Sequence, residues 1–144
     1  MNVAIIAGGR DFTDFAHMVT ACDYFLRHWR WSQEHWTIII GISKEEYIDK
    51  FKRKDRAGAD FFAYEYARLS GHLIETFPAD WVKYGRPAGP IRNRQMAERA
   101  AEFLPSAQLI AFWDRKSPGT ASMIAEAKRA GLNDEQIHIE YYNK

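Results

Sequence analysis

The sequence predicts an α/β fold: a Rossmann-like, mostly parallel five-stranded sheet with helices on both faces. Short apolar or β-branched segments alternate along the chain with longer segments of helical periodicity. Because a helix separates each strand from the next, right-handed crossovers and a parallel sheet are expected. The expected strands are 2–7, 36–42, 72–77, 108–113 and 136–142.

The first strand ends at Gly8 and Gly9, and Thr13 is expected to cap the helix that follows. The apolar positions of that helix recur at helical spacing, which predicts one buried face. They are Phe15, Met18, Val19, Cys22, Leu26 and Trp29.

Three further helices have recognisable boundaries. One is expected over 59–70 and ends at Gly71. Pro90 suits the first turn of the next, which runs to about Leu104. Ser117 caps the last, with Pro118 at its first position, and Gly131 ends it.

Length and composition predict a single domain that spans residues 1–144. The chain has 144 residues, enough for one core, and contains no repeat or linker. The 20 basic and 19 acidic residues nearly cancel, which argues against nucleic acid as a partner and requires any anion site to be local.

Several functional classes lack their signatures. Cys22 is the single cysteine, and the five histidines have no metal-ligand spacing, so no metal is expected. The sequence contains no GxGxxG, Walker lysine or GxSxG motif, and we expect no cofactor. The short apolar N-terminal run fits neither a signal peptide nor a membrane span, so we expect a cytoplasmic protein with no membrane partner.

An additional segment, 43–56, interrupts the minimal strand–helix pattern. Ser43 and Glu46 form a capping-box pattern, which predicts a short inserted helix. Its basic residues are either a solvated face or a lid over an anionic ligand. Tyr47, Ile48 and Phe51 would give it an apolar face, which, with the tryptophans between 29 and 36, favours a homo-oligomer.

Four loops carry the unusual motifs, and all four follow the carboxyl ends of expected strands. These loops are 8–12, 42–59, 78–89 and 114–120. Because parallel sheets bind ligands at that edge, the clustering predicts one composite site.

The first loop contains GGRDF, residues 8–12. Gly8 and Gly9 permit a sharp turn and a close backbone approach to a ligand. Arg10 can bind a phosphate or carboxylate, and Asp11 a ribose hydroxyl, with Phe12 next to them. The alternative is a simple turn with an Arg–Asp surface pair.

The second loop ends in AGAD, residues 57–60. Gly58 and Ala59 could offer backbone amides to an anion at a helix start. Asp60 is also an ordinary residue for the first turn of a helix, and this motif alone favours that simpler interpretation.

The third loop contains FPADW, residues 77–81, and continues to Arg94. Gly89 and Pro90 shape the loop, and Arg92 and Asn93 fall in the first helical turn, where anions bind. Three residues earlier in this loop are further candidate ligand contacts: Asp80, Trp81 and Tyr84. The ring of Trp81 or of Tyr84 could stack on a base. The alternative is a loop held by its aromatic residues.

The fourth loop contains SPGT, residues 117–120. Gly119 and Thr120 would present bare amides and a hydroxyl to a phosphate, next to Pro118. A helix capped by Ser117 without any ligand is the alternative.

Together, and in this order, the four motifs resemble the YspA-like branch of the SLOG superfamily, over nearly the whole chain. Relatives of this branch include the Lonely Guy enzymes and DprA. The matching residues are Gly8, Gly9, Arg10, Asp11, Phe12, Gly58, Ala59, Asp60, Pro78, Ala79, Asp80, Trp81, Gly89, Pro90, Arg92, Asn93, Arg94, Gly119 and Thr120. The resemblance implies a nucleotide-binding Rossmann-like protein that senses or processes a signalling nucleotide, of a kind found in bacteria and phages near conflict systems.

The chain departs from this pattern at two places. The segment 43–56 replaces the glycine-rich turn that the family carries before its GAD motif. Met123 stands where Lonely Guy enzymes carry a catalytic glutamate, so no catalytic residue is assigned. We therefore expect binding of an ADP-ribose-like or cyclic nucleotide for sensing or sequestration, as in anti-defence. The alternative is a hydrolase that cleaves an N-glycosidic or phosphoester bond in the same pocket, with Asp11, Asp60 and Asp80 as its carboxylates.

Overall fold

A computed structural model describes residues 2–29, 32–33 and 35–143 and confirms the predicted α/β class. Within these residues the strands are β1 (Val3–Gly8), β2 (His28–Trp29), β3 (Ser32–Gln33), β4 (Thr37–Ile40), β5 (Leu73–Thr76), β6 (Ala107–Trp113) and β7 (Ile137–Tyr141). The helices are α1 (Phe15–Phe25), α2 (Lys44–Lys52), α3 (Ala59–Ser70), α4 (Trp81–Tyr84), α5 (Ala88–Ala101) and α6 (Pro118–Ala130).

Five strands form one entirely parallel sheet in the order β5-β4-β1-β6-β7. From β1 the chain moves outward through β4 to β5, then returns to the other side of β1 and continues through β6 to β7. The direction of winding therefore reverses between β1 and β6. Such a switch point opens a crevice at the carboxyl edge of a parallel sheet.

The three central strands β4, β1 and β6 bury side chains on both faces, which is why their sequences are almost entirely apolar. On one face Ala4, Ile6 and Ile38 pack with residues of α1 and α3. On the other face Ile5 and Leu109 pack with residues of α5 and α6. The two helical layers follow from the reversed winding.

The element boundaries differ from the sequence-based ones in a few places. Asp14, one residue after Thr13, caps α1 by accepting a hydrogen bond from the His17 N–H at 3.0 Å. The helix ends at Phe25, and Trp29, expected on its apolar stripe, lies in the unpredicted β2–β3 hairpin. The helix α5 ends at Ala101 instead of continuing to about Leu104.

The inserted helix is present as α2, and Ser43 caps it by accepting the Glu46 N–H at 3.0 Å. The Tyr47 ring is buried against Tyr64 of α3, with ring centroids 4.2 Å apart, so part of the expected apolar face packs inside the protein. Ile48 and Phe51 remain exposed, and the homo-oligomer stays a prediction.

The tryptophans between 29 and 36 give that prediction no further support. Trp36 is buried, and its indole Nε1–H donates to the Leu26 carbonyl oxygen at 2.9 Å. Trp31 lies outside the described residues. No helix in the described ranges is both long enough and apolar enough to cross a membrane.

Candidate functional site

A cleft of about 690 Å³ opens at the carboxyl edge of the sheet, at the switch point between β1 and β6. A volume of this size is typical of sites for small molecules. The cleft is lined by the loops after β1 and β6 and by the first turns of α5 and α6. Twelve residues predicted from the motifs line it: Gly8, Gly9, Arg10, Asp11, Asp60, Trp81, Gly89, Arg92, Asn93, Pro118, Gly119 and Thr120.

The other five predicted contacts lie away from the cleft, three of them because they build the loop behind it. Phe12 is fully buried and packs against Phe112, with ring centroids 4.9 Å apart. The Gly58 N–H donates to the Phe12 carbonyl oxygen at 2.8 Å, and the Ala59 N–H donates to the Gly9 carbonyl oxygen at 3.0 Å. These two amides are thus bonded within the protein, which corrects their expected role as a phosphate cradle.

Asp80 and Tyr84 are the remaining two, and both belong to the short helix α4. The Asp80 carboxylate caps this helix by accepting the Lys83 N–H at 3.0 Å. Tyr84 is exposed on α4 and does not line the cleft. Trp81, at the start of α4, is the residue of this helix that reaches the cleft wall.

Nine lining residues were not among the predicted ligand contacts, and they fall into two kinds. Polar residues of the β6–α6 loop and first α6 turns belong to one kind, and small or apolar floor residues to the other. They are Ala7, Gly41, Pro90, Met96, Asp114, Lys116, Ser117, Ser122 and Met123. Met96 lies on α5 and Met123 on α6, and the packing of these two helices places both side chains in one apolar cluster.

The amino terminus of α6 faces the cleft with little steric cover. Ser117 caps the helix, and its Oγ accepts hydrogen bonds from the N–H and the hydroxyl of Thr120. Pro118 occupies the first turn, where a missing N–H costs nothing. A Cβ added at Gly119 would have Ser117 Oγ as its nearest neighbour, at 4.0 Å, so a ligand can approach the Gly119 backbone closely.

The amino terminus of α5 lies across the cleft, and no side chain caps it. The Trp81 ring lies over the start of this helix, at 3.4 Å from where a Cβ at Gly89 would be. Two helix amino termini, each carrying partial positive charge, therefore line one cleft.

A hydrogen-bond network crosses the cleft floor and ties the two helices together. The Arg92 guanidinium donates to the Gly41 carbonyl oxygen at the end of β4 and, through Nε, to Asn93 Oδ1 at 3.0 Å. The Asn93 amide nitrogen in turn donates to the Gly119 carbonyl oxygen at 3.3 Å and to Ser122 Oγ at 3.2 Å. Arg92 is therefore oriented by the protein before any ligand arrives.

Asp60 supplies a carboxyl group to the same floor. A Cβ at Gly41 would lie 2.5 Å from Arg92 Nη1 and 3.2 Å from Asp60 Oδ2, so this glycine leaves room for both side chains. Burial raises the pKa of the Asp60 carboxyl, and the nearby Arg92 cation partly opposes that rise.

Two further cations line the cleft, on the loops either side of the switch point. Arg10, exposed, places its guanidinium carbon 6.0 Å from the centre of the Trp81 ring, at the outer limit of a cation–π contact. Lys116 belongs to a turn in which Asp114 Oδ1 accepts the Lys116 and Ser117 amides at 2.9 and 2.8 Å. The cleft thus presents Arg10, Arg92 and Lys116 to an anion.

The part of the floor that would meet the uncharged portion of a ligand is apolar. Met96 and Met123 are both buried in the core beneath the cleft. Glu126, one turn after Met123, is also buried and forms an ion pair with Arg129, and it does not line the cleft. Among the described residues, no group of three or more His, Cys, Asp or Glu side chains is arranged to hold a metal ion.

No protein-family model, curated protein or solved structure matches this chain. The candidate site therefore stands on its own residues and geometry.

Substitution by alanine is expected to have unequal effects on stability at two glycines of the cleft, Gly8 and Gly119. A Cβ at Gly8 would lie 2.5 Å from the Phe112 carbonyl oxygen and 2.8 Å from the Ala59 Cβ. Gly8→Ala should destabilise the protein by about 1–3 kcal/mol, because the backbone itself must shift. Gly119→Ala should change stability by less than about 0.5 kcal/mol. Denaturant unfolding of both variants checks this, and equal stabilities would contradict the packing described for Gly8.

The raised pKa of the Asp60 carboxyl predicts that the stability of the protein depends on pH. Because its pKa is raised on folding, the folded state holds this proton more tightly than the unfolded state, and its stabilising contribution is lost as pH rises through the folded pKa. Asp60→Asn should therefore melt at a higher temperature than the wild type at pH 7–8, and the difference should shrink toward acidic pH. Asp134→Asn, at an exposed turn, is the control. A variant that is less stable than the wild type at neutral pH would contradict the prediction.

Proposed function

We propose that this protein binds a nucleotide or nucleotide-derived signal, of the ADP-ribose-like or cyclic class, and senses or sequesters it. One observation carries the proposal: two helix amino termini and three cationic side chains converge on one cleft at the switch point of a parallel sheet. Sites of this construction favour phosphate groups. The resemblance of the four motifs to the YspA-like branch of the SLOG superfamily supports the same ligand class, and we propose membership of that branch.

The phosphate is assigned to the α6 side of the cleft. There the Gly119 backbone is open to close approach, and Lys116 and Arg10 lie on the two loops that flank it. Arg92 adds positive charge from the floor while its guanidinium stays bonded to the Gly41 carbonyl oxygen. An anion that binds reversibly would contact Arg10 and Lys116 directly, while the positive charge of Arg92 attracts it from below.

The nucleoside is assigned to the Trp81 side. Trp81 is 49% exposed, which leaves its ring available to stack on a base. Asp11 lines the cleft on the β1 loop and provides a carboxylate that can accept hydrogen bonds from ribose hydroxyls. The apolar floor of Met96 and Met123 supports capture of the ligand, since no carboxylate stands at position 123.

Ligand binding is tested by thermal shift with AMP, ADP, ADP-ribose, GMP, GDP, cyclic AMP and cyclic GMP. A ligand that binds only the folded state raises the melting temperature with concentration. No stabilisation by any of them would sink the proposal. Native mass spectrometry of the purified protein reports any retained nucleotide and the number of subunits in the same experiment.

Arg10 provides the sharpest test of the phosphate contact. Arg10→Ala should weaken binding of the stabilising nucleotide by about 10- to 100-fold, the cost of one charge-assisted hydrogen bond. Arg94→Ala is the matched control, because Arg94 lies on the outer face of α5 and pairs with Glu98. Titration calorimetry measures both. Equal losses in the two variants would mean that Arg10 acts only through overall charge.

A hydrolase that uses the same cleft is the second candidate, and Asp60 is the observation that favours it. Burial raises the pKa of its carboxyl group, which lines the cleft, and a raised pKa is what a carboxylic general acid needs. Asp11 and Asp80, the other carboxylates considered, are engaged by Tyr142 and by the α4 cap.

Hydrolysis predicts release of free base or phosphate when the binding nucleotide is incubated with the wild-type protein. Asp60→Asn should abolish that release while binding persists, because the amide cannot donate the acidic proton. Chromatography of the nucleotide after long incubation measures the products. Recovery of the intact nucleotide from the wild-type protein would count against the hydrolase and agree with capture.

A further inference from the structure

The chain returns to the candidate site at its last strand. Tyr142 follows β7, and its N–H donates to the Trp113 carbonyl oxygen at 3.2 Å, so it lies beside the end of β6. Its ring packs edge-on against Phe12, with centroids 5.1 Å apart. A residue from the edge strand is thereby placed behind the β1 loop that lines the cleft.

Gly9 creates the space that the Tyr142 hydroxyl occupies. A Cβ at this position would lie 2.0 Å from the hydroxyl oxygen, closer than any side chain permits. From this notch the hydroxyl donates a hydrogen bond of 2.6 Å to Asp11 Oδ1. The second glycine of the GGRDF motif thus makes room for a tyrosine side chain.

The geometry points to Tyr142 as a positioning residue that orients the Asp11 carboxylate toward the ribose hydroxyls and so selects ribonucleotides over nucleotides without those hydroxyls. This inference rests on the proposed function. A carboxylate accepts up to about four hydrogen bonds, so Asp11 can hold the tyrosine and a sugar hydroxyl together. Holding the acceptor in place before binding lowers the entropy cost of the new hydrogen bond.

The chemical state of Tyr142 fits this role. Burial raises its pKa well above the usual value, and the hydrogen bond to Asp11 adds to the effect. The hydroxyl therefore remains a donor throughout the neutral range and keeps its contact with the carboxylate.

The test compares binding of AMP, ADP, GMP and GDP with that of their 2′,3′-dideoxy counterparts by calorimetry. Tyr142→Phe keeps the ring packed on Phe12 and removes the hydroxyl. We expect it to weaken the best-binding ribonucleotide about tenfold, the upper range for one hydrogen bond, and to leave the dideoxy affinity unchanged. Tyr141→Phe is the matched control, because the Tyr141 ring is partly exposed and contacts Trp113 and Arg115.

A double-mutant cycle with Asp11→Ala provides a second measurement. If Tyr142 acts through Asp11, the double variant binds the ribonucleotide no more weakly than Asp11→Ala alone. Additive losses, or a Tyr142→Phe variant that discriminates as well as the wild type, would overturn the positioning role while leaving nucleotide binding intact. A wild type that binds ribo- and dideoxynucleotides equally would do the same. A wild type that binds none of the eight would overturn the positioning role, and the proposed function fails as well only if ADP-ribose and the cyclic nucleotides also do not bind.

Discussion

The close approach of backbones at Gly8 and Gly9 is the constraint on which the site depends. Gly8 is packed so tightly between β6 and α3 that a single methyl group would collide with the Phe112 carbonyl oxygen. Immediately afterwards the Gly9 carbonyl oxygen accepts the Ala59 amide, which attaches the start of α3 to the end of β1. The switch point can form a cleft because at Gly8 the end of β1 meets β6 and the start of α3 with no room for a further side chain.

The features that could be predicted from the sequence are those whose signals are local along the chain. Alternating apolar and helical segments were sufficient for the sheet, and the inserted α2 followed from Ser43 and Glu46, because these signals are local. The roles of Gly58 and Ala59 depend on hydrogen-bond partners that are distant in sequence. Their spacing fits a phosphate cradle, yet the partners of their amides are Phe12 and Gly9, nearly fifty residues earlier in the chain. A sequence pattern identifies a donor, and only the fold determines the acceptor.

Tyr142 and Gly41 are the converse case, because they contribute to the site although no sequence motif identified them. Neither belongs to a motif, and each matters through a contact distant in sequence: Tyr142 with Asp11, and Gly41 with Arg92. A glycine after an apolar strand indicates only a turn. The structure shows that the missing side chain at Gly41 leaves room for a guanidinium group and a carboxylate together.

The bonding of Arg92 also distinguishes the three cations of the cleft. A guanidinium already bonded to a carbonyl oxygen and to Asn93 loses part of that bonding if it turns to a ligand. Arg10 is exposed and on a loop, with its guanidinium 6.0 Å from the centre of the Trp81 ring, so its reorientation costs less. Arg92 therefore acts mainly as a fixed charge that sets the potential of the floor and opposes the rise of the Asp60 pKa, whereas the ligand's own hydrogen bonds come from the loops. A cleft built in this way offers an anion a rigid interior and an adaptable rim.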